Sequence, residues 1–202
     1  MEALTNKLFQ KNSELYNQAV NPLRSHGPDH HKRVYGYAVH LASVLGVAYD
    51  SEILAGAALL HDLAAYYPEK IGDDYHEYDH VIAEEALRDI GFPEEKIAAV
   101  CEAIANHGSD KKYQTGDEGI ETKLLRDADK LDAFGPLGTA RIIMVRTLKG
   151  DTLEQIVDDF WSRGHLKRKW DSISFGEARN MAAEDYEYSK DFFERLAADL
   201  GV

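Results

Sequence analysis

Four side chains from three separate stretches of the sequence could do chemistry together: His30, the adjacent pair His61 and Asp62, and Asp129. Two imidazoles and two carboxylates make a mixed nitrogen and oxygen donor set, which suits a single divalent Mn, Mg, Fe, Ni, Co or Zn ion. Four protein donors would leave a six-coordinate metal two further positions. One could take a water whose pKa the metal lowers, and the other a phosphoryl oxygen that the metal polarises, so hydrolysis of a phosphate ester or anhydride is the reaction to expect. A His-Asp dipeptide alone says little, since roughly one arises by chance in a chain this rich in both residues. The setting carries the reading, because the four residues fall at or beside the inward faces of three predicted helices, the way a helical bundle builds a metal site.

Those helices are legible from apolar spacing and turn residues. Leu4, Leu8, Leu15 and Ala19 recur at helical spacing up to Pro22. Pro28 suits the first turn of a second helix that runs to Gly46, with the stripe Val34, Ala38, Leu41 and Leu45. One step of four back from Val34 reaches His30, which therefore points towards the core. An Asp50-Ser51 cap opens a third helix whose run from Ile53 to Leu60 is almost wholly apolar and ends in His61-Asp62. A carboxylate and an imidazole in so buried a setting need partners. Helices are predicted over 78–90 and 93–107, the latter with Ile97, Val100, Cys101 and Ile104 on one face and His107 continuing it. Ile120, Leu124, Leu125, Ala128 and Leu131 mark a sixth, stopped by Gly135-Pro136, and Asp129 lies one turn past Leu125 on its inward side. Further helices are expected at about 137–149, 151–163 and 176–199. The stretches 68–75, with Lys70, Asp73 and Asp74, and 108–119 read as polar loops. With no period-two pattern, the expectation is an all-α, single compact helical domain over residues 1–202, with a motif-bearing core at about 22–135 and C-terminal helices 137–202 packed on it.

The run H-G-P-D-H-H-K-R-V at 26–34, L-L-H-D at 59–62 and D-A-D-K-L-D-A at 127–133 resemble the HD-domain superfamily of metal-dependent phosphohydrolases, in order and separation, over residues 26–135. The C-terminal Ala178-Arg179 segment resembles the subgroup of small predicted HD hydrolases. The resemblance implies a helical domain of the HD type and the metal ligands His30, His61, Asp62 and Asp129, with Asp127 as second choice for the last. It also implies that extra histidines, here His80 and His107, bind substrate phosphate or a second metal. Glu84, one turn after His80, could orient it or relay a proton, and His26, Arg33 and Lys130 could reach a phosphate. Many family members follow His-Asp with glycine and a charged residue, whereas this chain reads Leu63-Ala64-Ala65. Asp62, a metal-bound hydroxide or Glu84 would then have to handle the proton, and His80 and His107 complete the catalytic candidates.

The basic run His165-Leu-Lys-Arg-Lys169 reads first as a solvated inter-helix loop, or else as a mobile arm at the site mouth in which Lys167, Arg168 and Arg179 meet a polyphosphate. His40, His76 and His165 are read as surface or packing residues, Asp132 as a cap or a solvated carboxylate, and Phe192 and Phe193 as packing.

A formal net charge of -13 repels polyanions, which argues against nucleic-acid polymers and membrane surfaces. A phosphate substrate, a nucleotide first of all, would have to be drawn by local cations. The single cysteine, Cys101, excludes an internal disulfide, and with no apolar stretch of membrane length the expectation is a cytoplasmic chain, with a homo-oligomer left open. Two other readings stand beside hydrolysis: a regulatory protein of the same type that binds a nucleotide without turnover, and a di-iron oxygenase.

Overall fold

The third helix expected from the sequence, Ser51–Leu60, is buried along Leu54–Leu60, and the fold is wrapped around it. In the computed structural model, which describes residues 2–68, 78–108 and 116–202, ten α-helices follow one another with no strand among the described residues. They are α1 (Glu2–Gln18), α2 (Pro28–Leu45), α3 (Ser51–Leu60), α4 (Asp79–Asp89), α5 (Glu94–Ala105), α6 (Ile120–Leu131), α7 (Gly135–Leu148), α8 (Leu153–Val157), α9 (His165–Asp171) and α10 (Gly176–Leu200). Lys70, Asp73, Asp74 and His76 lie outside the described residues, as do residues 109–115 of the second expected loop.

Asp50 caps α3 as its sequence suggests, its carboxylate accepting from the amides of Glu52 at 2.9 Å and Ile53 at 3.2 Å. Such a cap contributes about 1 kcal/mol. α3 packs against α1, α2, α5 and α6, and α2 lies along α6. One core runs from Leu8 in α1 through Leu54, Leu60, Ile104 and Leu125 to Phe193 in α10. The C-terminal helices extend that core, with α10 lying against both α6 and α7.

The turn between α6 and α7 is tight because two glycines permit it. Gly135 has φ 74°, a left-handed conformation that other residues resist. A Cβ on Gly138 would fall 2.2 Å from the carbonyl carbon of Ala133. Gly135-Pro136 therefore does more than stop the sixth helix, since α7 begins at Gly135 itself.

In the C-terminal half one expectation is refined and one is corrected. Residues 151–163 form the short α8, opened by a Thr152/Gln155 capping box, followed by a π-helical turn at Asp158–Ser162. Residues 165–171, read as a loop, form α9, with Trp170 stacked on Tyr186 and edge-on to Phe134. The run of charges hid a helix that is held by one buried apolar residue, Leu166, and one aromatic contact surface. Among the described residues no helix is long and apolar enough to cross a membrane.

Candidate metal centre and its cavity

Pro28 starts α2 and sets His30 in its opening turn. His61 caps the C-terminus of α3, and Asp62 leaves helical geometry at φ -116° and ψ 33°, so two consecutive side chains reach one point. Asp129 arrives from the last turn of α6. One donor atom from each of His30, His61, Asp62 and Asp129 lies within 4.8 Å of all the others. His30 Nε2 is 3.2 Å from His61 Nε2, 3.4 Å from Asp62 Oδ2 and 3.6 Å from Asp129 Oδ1. His61 Nε2 is 3.3 Å from the same Asp62 oxygen and 3.9 Å from the same Asp129 oxygen.

The residues behind the cluster determine which ring atoms face inward. His30 Nδ1 lies 2.7 Å from Asp132 Oδ2, and His61 Nδ1 lies 3.0 Å from the Ala58 carbonyl. Both partners only accept, so each Nδ1 carries the proton and each Nε2 presents a lone pair. Two lone pairs and two carboxylates converging on a buried point repel one another unless a cation sits between them. The donor set therefore fits a divalent metal. Without one, a proton takes its place: burial opposes charge on His61, but Asp62 and Asp129 raise its pKa to about 9. Asp62 is held well below the usual carboxylate range against its burial, chiefly by His61 and His30. Asp129 is also held well below the usual carboxylate range against its burial, chiefly by Lys130, whose Nζ donates to it at 2.8 Å.

Asp132 and Asp127 fall into roles the sequence did not separate. Asp132, expected to cap or be solvated, is 2% exposed and anchors His30 from behind. Arg33, a candidate for phosphate, instead donates to Asp132 from Nε at 2.6 Å and Nη2 at 2.9 Å. Asp127 stands outside the cluster and accepts from the amides of Ser174 and Phe175 at 2.8 Å each, so it holds the lead-in to α10. His31, next to His30, turns its Nδ1 to the Gly27 carbonyl at 3.1 Å and lies against the His61 ring.

A cavity of about 440 Å³ opens over Asp62 and Asp129. His26 and His107 flank Asp62, each with Nε2 3.8 Å from one of its oxygens. Burial, then the neighbouring His61, pushes the His107 pKa down to about 4. Its Nδ1 is 2.5 Å from the Ile104 carbonyl, which leaves Nε2 as an acceptor on the cavity side. Lys130, Arg141, Arg146, Lys149 and Lys169 line the same cavity, so cations concentrate there in a chain whose net charge is -13. Burial, then Lys130, lowers the Lys169 pKa to about 8.

Several expected residues are elsewhere. Lys167 is exposed and paired with Asp171, Arg168 donates to the Arg163 carbonyl, and Arg179 donates to the Ile173 carbonyl. None of the three lines the cavity. Glu84 pairs at the surface with Arg88 at 2.7 Å, and His80 contributes its carbonyl to Cys101, so neither joins the cluster. His165, read as a surface or packing residue, does line the cavity, stacked on Phe160. A helical reading of 165–171 would have found it, because His165 and Lys169 are one turn apart while Lys167 and Arg168 face away. The same period along α7 puts Arg141, Val145 and Lys149 on one face, with Ile142 and Arg146 beside them.

The HD domain family profile matches residues 29–133, just over half of the chain. YpgQ of Bacillus subtilis is 29% identical over 158 residues, covering 75% of this chain and 74% of that protein. The structure of YpgQ in complex with ADP matches with a TM-score of 0.71 at 24% identity, over 98% of this chain and 95% of that one. A Lactobacillus plantarum protein matches at 0.79 with 19% identity over 100% and 98% of the two chains. An HD-superfamily hydrolase from Bacillus thuringiensis matches at 0.67 with 24% identity over 100% and 98%. At these identities the structural likenesses speak for the fold. The family match itself spans all four converging residues, from His30 to Asp129, and the chain belongs to the HD domain family.

Proposed function

We propose that this chain is a metal-dependent phosphohydrolase acting on a phosphoester or phosphoanhydride, with a nucleotide as its substrate. The observation that carries the reading is the convergence of His30, His61, Asp62 and Asp129 within 4.8 Å, with Asp62 and Asp129 opening onto a cation-lined cavity. A divalent ion held there would supply Lewis acidity towards phosphate and an acidified water. The chain's own groups handle the rest. Lys130, Arg141 and Lys169 offset phosphate charge, and His107, neutral with Nε2 free to accept, is placed to take a proton. His107 thus replaces Glu84 and His80 as the proposed proton acceptor.

The nucleotide reading has two supports. The cavity, at about 440 Å³, is of ordinary ligand size, and Ile104, Ile142, Val145 and Phe160 give it an apolar wall for a base or sugar beside the cations. The relative YpgQ is known in complex with ADP.

The test is phosphate and pyrophosphate release from nucleotides and simple phosphomonoesters with Mn²⁺, Mg²⁺ or Co²⁺ added to metal-stripped protein. Turnover of nucleotides that is lost on chelation is expected. Nucleotide binding without turnover in any metal would favour a regulatory role, and two irons per chain with oxygen consumption would favour an oxygenase.

A further inference from the structure

Asp132 is 2% exposed, and its carboxylate gathers donors from three residues that lead to different places. His30 Nδ1 is 2.7 Å from Oδ2. Arg33 reaches both oxygens, at 2.6 and 2.9 Å, from the protein's half-exposed side. Arg141 Nη1 is 2.5 Å from Oδ2 and donates also to the Asp132 carbonyl at 3.0 Å, while its Nε donates to the Ser25 carbonyl at 2.6 Å.

One arginine would neutralise a buried carboxylate. The second arginine and the imidazole exceed what neutralisation needs, and both end in the site: His30 at the four-residue cluster, Arg141 on the cavity lining. An acceptor-only group opposite Nδ1 forces the tautomer that leaves Nε2 unprotonated at the cluster. The same carboxylate, with the Ser25 and Asp132 carbonyls, pins Arg141 by Nε and Nη1, so the guanidinium meets a ligand in one preset orientation.

We infer that Asp132 is a positioning residue for both halves of the site, fixing the His30 tautomer for metal binding and the Arg141 guanidinium for substrate phosphate. It touches neither metal nor substrate, yet it sets the affinity for both. The first half rests on the metal-centre reading proposed above and the second on the phosphate reading.

The experiment uses full-length wild type, Asp132→Asn and Arg141→Gln, each checked for helicity by circular dichroism. Calorimetric titration measures Mn²⁺ binding to metal-stripped protein and pyrophosphate binding to the Mn²⁺-loaded form. Long-range ¹H–¹⁵N spectra of histidine-labelled, metal-free protein read the His30 tautomer. Wild type should show His30 protonated at Nδ1. Asp132→Asn should weaken Mn²⁺ by about 10 to 100 fold, as loss of such an orienting partner does elsewhere, and should weaken pyrophosphate as well. Arg141→Gln should weaken pyrophosphate by about 10 fold while sparing Mn²⁺. Wild-type Mn²⁺ affinity in Asp132→Asn, or wild-type pyrophosphate affinity in Arg141→Gln, would overturn the inference and leave the metal reading standing. In metal-free wild type, a His30 whose Nδ1 carries no proton, the tautomer protonated at Nε2 alone, would overturn it even if Asp132→Asn does not fold. Absence of Mn²⁺ binding by wild type would instead overturn the metal-centre reading, and the first half of the inference with it.

Discussion

The floor of the cavity and its far wall are built on opposite principles. On the floor, three of the four donors have a fixed partner of their own: His30 has Asp132, His61 the Ala58 carbonyl and Asp129 Lys130. On the wall, the cations sit on the α7 and α9 faces; Arg141 alone is pinned by Asp132, while others are shared with half-buried acids outside the cluster, as Arg146 is with Asp151 and Asp159. A donor set that must converge on one point tolerates little play, whereas a screen of positive charge works from many arrangements. The floor should therefore fail sharply when one residue changes, and the wall, Arg141 apart, by degrees.

The sharpest break is expected from Asp62→Ala, which removes a carboxylate shared by both histidines: metal binding and activity should disappear together while circular dichroism keeps its helical signal. Full activity in that variant would remove the metal mechanism. Next in size is His107→Gln. It should lower kcat by about 100 fold at unchanged metal content, the usual scale for losing a general base. Unchanged kcat would return His107 to a packing role.

Smaller effects are expected on the wall. Lys169→Ala should raise the KM for a nucleotide by about 10 fold with kcat nearly kept, while Lys167→Ala and Arg168→Ala should change neither. A larger effect at Lys167 than at Lys169 would mean that the cavity does not bind the phosphates. The smallest prediction concerns pH. In metal-free protein the His61 pKa is raised to about 9 from an ordinary 6.5, so the stability it contributes is present below pH 6.5 and is lost as pH rises through 9. The melting temperature of metal-free protein should fall across that window, and metal loading, which displaces the proton, should flatten the fall. An equal slope with and without metal would contradict the proton-for-metal exchange.

What the sequence revealed follows the same division. The floor was legible because its residues sit at fixed offsets from strong helical stripes: His30 four before Val34, Asp129 four after Leu125. Asp132 was not, because a buried carboxylate and a solvated one look alike in sequence. Its buried state follows from Arg33, 99 positions away, and His30, 102 positions away. The wall was misread for a different reason. A run of four basic or histidine residues in five suggested a loop, and without a helical period the inward His165 and Lys169 could not be told from the outward Lys167 and Arg168. Glu84 was placed by its distance from His80 along the helix, but Arg88, one turn further on, claims it at the surface.

Four side chains from α2, α3 with its C-terminal turn, and α6 are proposed to hold one divalent cation, and everything else in the mechanism depends on that ion. The most direct test is anomalous X-ray diffraction from crystals of Mn²⁺-loaded protein. A single anomalous peak about 2.0 to 2.3 Å from His30 Nε2, His61 Nε2 and oxygens of Asp62 and Asp129 is the expected result. A fully loaded protein whose ion lies elsewhere, with those four side chains still bonded only to one another, would contradict it.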